Sequence, residues 1–588
     1  MFFLKNIKLG LLVLVVSHSL ILSCAKGSHK DLSEKYILDG IHKNPGEPYP
    51  QSNFMDPGFL ASMGYNGQII NDFVSPVTTI DYNNYKQGMF PNNEDQKKWL
   101  EKRREVTNAK IESAHKAGIN LYYWTDLFVL PTTIMNNNEK ELKSEVNSKM
   151  KFDINQSLTQ ELLRYMLQEV FKQYPKLDGL VIRTGEIYTL DTPFHKGGIL
   201  CHKPEDYKVL IEILREEVCV KLNKKIFFRT WGFDGFHTDP AYYLTVTDAI
   251  KPHHNLIFSI KHNRYHRMNP FSSVLTLGKH PQIIEYSCQR SFEGKGAYPN
   301  YIAKGAIEGF EEYKLMEPGT NKSFSDIIDH PNIVGLWSWS RGDGWAGPYL
   351  KNELWTELNA YVAVKWFRNP LLEERDIIND FAKSKGLRGK DIDLFRKISW
   401  LSADAVLRGR EKYIGETEVN YDMPGRLWMR DHYMEGDQGH FKALRDKIIG
   451  QGHVEMALRE KKEAVELWKE IVSLAERLTT EDKDLKDFII TSCKYGLIKY
   501  SIVEQFWTIS LLGKQGGLDD NLGKQRISNA IIKYDELWKE WEDLYVNNPS
   551  CATLFKDEAF YCYLVDKRPN AGMGYTVEKY RKLIMNKQ

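Results

Sequence analysis

The 588-residue chain predicts an α/β protein, a (β/α)8 barrel followed by an α-helical C-terminal domain. Three observations predict it. Between residues 35 and 370, eight short apolar runs alternate with helical patterns, an order that argues for parallel strands closed into a barrel. No glycine-rich phosphate turn follows the first run, which disfavours an open doubly wound sheet. Beyond Pro370, over residues 371–588, the pattern is helical throughout.

The N-terminal segment lies outside this scheme. Lys5 and Lys8 precede an apolar run from Leu9 to Val16 that resumes at Leu20–Leu22 and ends at Ser23-Cys24. A basic start, a short apolar core and a small residue at the cut mark a secretory signal over residues 1–24. The ending Ile21-Leu22-Ser23-Cys24 resembles the lipobox of bacterial lipoproteins. That resemblance implies lipidation of Cys24 and export to the periplasm or cell surface, with the lipid as the sole membrane attachment. The stretch is short for a spanning helix of about 20 residues. Residues 25–34 read as a polar tether.

The runs follow in order: Tyr36–Asp39, Tyr65–Ile70, Ile119–Trp124, Leu180–Thr184, Lys225–Thr230, Leu256–Lys261, Ile283–Ser287 and Asn332–Trp339. Helical patterns cover Glu94–Lys116, Leu158–Gln173, Glu205–Leu222 and Leu354–Phe367. Gly118 is placed to cap the first of these. Further on, helices are expected at Asp393–Leu407, Gln451–Leu478, Leu485–Leu512 and Gly523–Leu544, with a Trp- and Arg-rich link at Met423–Tyr433. Trp428, Trp468, Trp507, Trp538 and Trp541 read as core residues of that region.

Composition narrows the function. A net charge of +2 with 27% charged residues argues against a nucleic-acid binder. Apart from Cys24, the cysteines are Cys201, Cys219, Cys288, Cys493, Cys551 and Cys562; their spacings match no zinc or redox motif, and most read as buried thiols. His195, His262 and His266 do not share a helix face with a carboxylate, so neither a metal nor a cofactor is expected. The 14 Trp and 31 Tyr suit sugar stacking, although helical cores need aromatics too.

In a barrel, chemistry sits at the C-terminal ends of the strands. Two carboxylates stand out there. Glu186 follows the fourth run, in Arg183-Thr184-Gly185-Glu186, where Gly185 suggests an unusual backbone shape. Glu285 interrupts the apolar seventh run, which is costly unless a partner such as Arg229 or Arg183 pairs with it. Glycoside hydrolysis needs such a pair: an acid for the leaving oxygen, and a second carboxylate that attacks carbon or activates water. Cations also collect at the mouth: Arg183, Arg229, Lys261, His262, Arg290, Lys295 and Arg341. Guanidinium groups grip carboxylate or sulfate, so this set points to an anionic glycan. Trp124, Trp231, Trp339 and Trp345 offer stacking faces, and Asp343 lies among them.

Acidic residues on strands four and seven match the arrangement of the large clan of retaining barrel glycosidases. The segments 178–186 and 337–345, with a barrel followed by helices, resemble the α-glucuronidases. The resemblance implies a glycosidase with Glu186 as acid and Glu285 as base candidate. Lys261-His262 stands where that family has an Asp, and the family's N-terminal β domain has no counterpart here. Two other readings stay open: a non-catalytic glycan-binding lipoprotein, and a uronate lyase using Tyr286 or His262 as base.

Overall fold

The computed structural model describes residues 35–41, 52–72, 74–189, 191–232, 235–236, 239–262, 277–288, 296–310, 323–341, 352–410, 436–437, 439–552, 554, 558–559, 568–569 and 572–586. Cys24, the tether and the Met423–Tyr433 link lie outside them. Each of the eight apolar runs forms a strand: β1 (Tyr36–Ile41), β2 (Gly67–Ile70), β3 (Asn120–Asp126), β4 (Gly179–Arg183), β5 (Lys225–Arg229), β6 (Leu256–His262), β7 (Gln282–Ser287) and β8 (Ile333–Arg341). They pair in parallel, in the order β1-β8-β7-β6-β5-β4-β3-β2, and close into a barrel.

Alternation along each strand builds two cores. Leu38, Ile69, Tyr122, Val181, Phe227, Ile257, Ile283 and Trp337 fill the barrel interior. Their neighbours Ile37, Ile70, Tyr123, Ile182, Phe228, Phe258, Ile284 and Leu336 face outward and pack under the helices. Strands buried on both faces need continuous apolar runs, which is why these segments were legible. Fully burying one such side chain contributes roughly 1.5–3 kcal/mol.

The crossover helices described are α1 (Pro57–Met63), α2 (Glu94–Lys116), α3 (Ser157–Gln173), α4 (Pro204–Leu214), α5 (Pro240–Thr247) and α6 (Ala303–Glu308). After β8 comes α7 (Leu354–Arg368). In α2, Asn93 accepts a hydrogen bond from the Gln96 amide, Glu94 and Asp95 sit in the first turn, and His115 and Lys116 sit in the last. This charge order complements the helix dipole. Gly118, at φ +78°, takes the left-handed conformation that ends the helix. The helix expected at Glu205–Leu222 is α4 followed by a wider π turn over Arg215–Val220. A ribbon of Lys143–Val146 and Lys149–Phe152 was not anticipated, because its strands are mostly polar and charged.

The C-terminal segment is helical: α8 (Glu374–Ser384), α9 (Lys390–Arg410), α10 (Gly439–Gly450), α11 (Val454–Glu476), α12 (Lys483–Gln515), α13 (Asn521–Asn547) and α14 (Met573–Met585). Trp468, Trp507 and Trp538 are buried in it. Polar contacts tie it to the barrel. Trp355 of α7 donates to Ser492 Oγ at 3.0 Å, and Tyr301 donates to Glu374 of α8. Cys201, Cys219, Cys288 and Cys493 are buried free thiols, and Cys551 is a half-buried one. Among the described residues no helix is long and apolar enough to cross a membrane.

Asp39 gives the barrel seam a titratable group. It lies on the outer face of β1, where Ser338 and Ser340 of β8 donate to it at 2.6 and 2.8 Å. Among the described residues no cation pairs with it. Burial raises its carboxyl from 3.8 to about 7 against the hydrogen bonds, which act to lower it. A folded value above the unfolded one means that the contribution to stability is complete below about pH 4 and is lost as pH rises through about 7. At about 1.4 kcal/mol per unit, the loss is on the order of 4 kcal/mol. Urea midpoints are therefore expected to favour Asp39→Asn over wild type increasingly across that window. A difference that stays constant with pH would overturn this.

Candidate functional site at the barrel mouth

The C-terminal strand ends bring two ion pairs to one indole. Arg229 of β5 donates from Nε to Glu285 Oε2 at 2.8 Å and from Nη2 to Oε1 at 2.5 Å. Trp339 of β8 donates to the same Oε1 at 2.7 Å. On the neighbouring strands, Arg183 of β4 donates from Nε and Nη2 to the two oxygens of Asp126 of β3, both at 2.7 Å. Trp124 Nε1 and the Tyr188 amide also donate to Asp126, each at 3.1 Å. The Arg183 and Arg229 guanidinium carbons lie 5.1 and 4.8 Å from the Trp124 ring centroid. Two-pronged, charge-assisted bonds with cation–π contact fix both arginines. Burial acts to lower the Arg183 pKa, and its carboxylate neighbours more than offset this, leaving it raised.

Glu186 stands above this layer. Its Oε2 accepts from Arg183 Nη1 at 3.1 Å, and its side chain is 22% exposed. Its other oxygen has no hydrogen-bond partner among the described residues. Gly185 beside it, where the sequence suggested an unusual backbone shape, is not among the glycines with positive φ. Its role is steric: a Cβ there would lie 2.5 Å from Gly232 Cα and 2.9 Å from the Trp231 carbonyl oxygen. Glycine lets the chains after β4 and β5 touch, and so sets where Glu186 emerges.

The remaining expectations divide. Glu285 was expected to need a partner, Arg229 or Arg183, and to stand opposite Glu186 as the second carboxylate; Arg229 is that partner. It is fully buried, with both oxygens engaged, because an ion this deep needs a partner. Arg183 and Arg229 were expected to grip an anionic ligand; they serve as counter-ions to buried carboxylates, which lowers the positive excess of the mouth. Trp124, Trp337 and Trp339 pack on one another and form a floor, with Trp337 and Trp339 stacked at 5.1 Å. Trp231 and Lys261 come together, with the ammonium 4.6 Å from the ring centroid. His262 and Arg341 are the last residues of β6 and β8. Arg290, Lys295, Asp343 and Trp345 lie outside the described residues. Among the described residues no cluster of three acidic, His or Cys side chains is placed to hold a metal ion.

Two mouth residues went unassigned in the sequence. Asp126 lies near the end of the third run, where the sequence assigned it no role; β3 continues two residues past Trp124 and ends on it. Asn71, just past β2, gave no signal beyond its position at a strand end.

The closed parallel barrel with helices after it defines the class: a (β/α)8-barrel protein. No family model and no curated protein matches the chain. Among solved structures, it is similar to a GH138 enzyme targeting pectin rhamnogalacturonan II. The match has 12% identity and a TM-score of 0.55, and covers 94% of this chain and 67% of the other. A Thermobaculum terrenum O-GlcNAc hydrolase mutant matches over 94% of both chains, at 12% identity and a TM-score of 0.40. The tandem catalytic modules of the pneumococcal exo-β-D-N-acetylglucosaminidase StrH match over 62% of this chain and 94% of theirs, at 12% identity and a TM-score of 0.34. At such identity the first of these likenesses establishes a shared fold.

Proposed function

We propose that the chain is a glycoside hydrolase acting on an anionic glycan, uronate-containing or sulfated. One observation carries the reading. Glu186, half-buried with one oxygen held by Arg183 and the other open, stands at the catalytic end of a barrel floored by tryptophans. A carboxyl so placed can give a proton to a glycosidic oxygen and take one back. Glu285 is the second carboxylate, acting on the anomeric carbon or on water. Because it lies under Trp339, sugar binding must turn that indole or open the Arg229 pair. Lys261 over Trp231 supplies a cation beside an aromatic face for the anionic group. The barrel likeness to an enzyme that targets pectin rhamnogalacturonan II supports the class and suggests the first glycan to try. Cleavage of a terminal uronate, as in the α-glucuronidases, is the form of the reaction we favour.

The burial of Glu285 supports a second reading of that residue alone, as a structural counter-ion to Arg229. The two roles make different predictions, developed in the Discussion.

The test is a screen of rhamnogalacturonan II, other pectic fragments, glucuronoxylan and sulfated polysaccharides for new reducing ends. The expected result is release from at least one anionic polymer. Products absorbing in the ultraviolet would instead select a lyase, and binding without release would select a non-catalytic glycan receptor.

Our proposal puts this chemistry outside the cytoplasm, on the resemblance of Ile21–Cys24 to a lipobox, where ATP and NAD(P)H are scarce and hydrolysis needs neither. Two or three acyl chains anchor a protein where one is marginal. Cys24→Ser is expected to move the protein from the membrane fraction to the soluble one; an unchanged distribution would rule out the anchor.

A further inference from the structure

Asn71 directly follows Ile70, the last residue of β2. Ile69 belongs to the barrel interior with Tyr122 and Trp124, and Ile70 packs outward under the helices. Alternation turns the next residue, Asn71, back toward the lumen. Ile70 is in register with Tyr123 of β3, so Asn71 stands level with Trp124, whose indole donates to Asp126. The Asn71 side chain is 5% exposed, and among the described residues neither its Nδ2 nor its Oδ1 has a hydrogen-bond partner. Native proteins pair most buried polar groups, so an amide with both ends unpaired calls for an explanation.

We propose that Asn71 is a substrate-reading residue, donating through Nδ2 and accepting through Oδ1 at the hydroxyl-bearing edge of a bound sugar. The proposal rests on reading the mouth as a glycan site and specifies part of it. A hydroxyl both donates and accepts, so adjacent sugar hydroxyls satisfy both ends of the amide. A carboxylate or sulfate only accepts and would set its negative oxygens against Oδ1. Asn71 therefore reads unmodified hydroxyls. The anionic group of the same sugar belongs on the far side of the mouth: the strand order places β2 opposite β6, which carries Lys261. In the free protein the amide is covered, so an entering sugar displaces what packs over it. Deoxygenation, acetylation or sulfation of the contacted hydroxyls removes the match and is disfavoured.

The test uses Asn71→Leu, an apolar side chain of similar size, in the full chain. Removing a buried amide with no partners should leave the Tm of the free protein equal to or above that of wild type. With the substrate found in the glycan screen, kcat/KM is expected to fall about 100-fold, chiefly through KM. Asn71→Asp, which keeps an acceptor and loses the donor, is expected to fall between. An unchanged kcat/KM, or a drop in Tm that accounts for the lost activity, overturns the proposal. If wild type turns over none of the glycans, the hydrolase reading fails, and Asn71 is judged by glycan-induced thermal shifts in the same panel. A shift present in wild type and lost in Asn71→Leu supports the proposal; a shift retained, or absent from wild type, overturns it.

Discussion

Glu186→Gln is expected to slow hydrolysis of an unactivated glycosidic bond by about 10²–10⁴-fold, the usual contribution of a positioned general acid. The amide keeps the size of the carboxyl and loses the proton. Stability should barely change. Glu186 is partly exposed and meets Arg183 through a single bond, while Asp126 keeps its two-pronged hold on the same guanidinium. An ion pair that solvent can reach is worth about 0–1 kcal/mol. A dinitrophenyl glycoside, whose leaving group needs no proton, should lose far less than the natural polymer. Equal losses on both substrates would assign Glu186 to binding or nucleophilic attack. No loss on either would remove it from the mechanism.

Arg229→Met and Glu285→Gln should each destabilise the fold by about 3–5 kcal/mol, since either change leaves its former partner buried and uncompensated. The double change Arg229→Met with Glu285→Leu should recover most of that loss, because apolar side chains of similar volume often replace a buried pair without penalty. This rescued protein separates the two roles of Glu285. If Glu285 takes part in the reaction, the double variant is folded and inactive. If Glu285 only balances Arg229, the double variant is folded and retains measurable turnover. Urea midpoints and initial rates on the same preparations decide between them. Single variants as stable as wild type would mean that the pair contributes nothing to the fold.

Particular residues show what the sequence could and could not reveal. The runs Leu180–Thr184 and Lys225–Thr230 announced strands because both of their faces are buried. The ribbon at Lys143–Phe152 has no such constraint, and its lysines, serine and glutamate gave no pattern. Glu285 stood out because a charge in an apolar run needs a partner, and Arg229 was one of two candidates. Choosing between them required the closed barrel, which brings the inward faces of β5 and β7 together although 56 residues separate the pair. Arg183 meets its carboxylate on the neighbouring strand, where Asp126, 57 residues before it, is its register partner. Counting cations at strand ends therefore overstated the positive charge offered to a ligand, since counter-ions arrive from strands elsewhere in the sequence. Asn71 is the reverse case: an ordinary residue in the sequence, conspicuous once both ends of its amide are buried with no partner among the described residues.

The central claim is that Glu186 drives hydrolysis of an anionic glycan at the barrel mouth. The most direct measurement is the rate at which new reducing ends appear when wild type and Glu186→Gln act on rhamnogalacturonan II fragments and the other acidic polymers. Release by wild type and at least a 100-fold slower release by an equally stable Glu186→Gln is the expected outcome. No release by wild type, or equal release by both proteins, would contradict the claim.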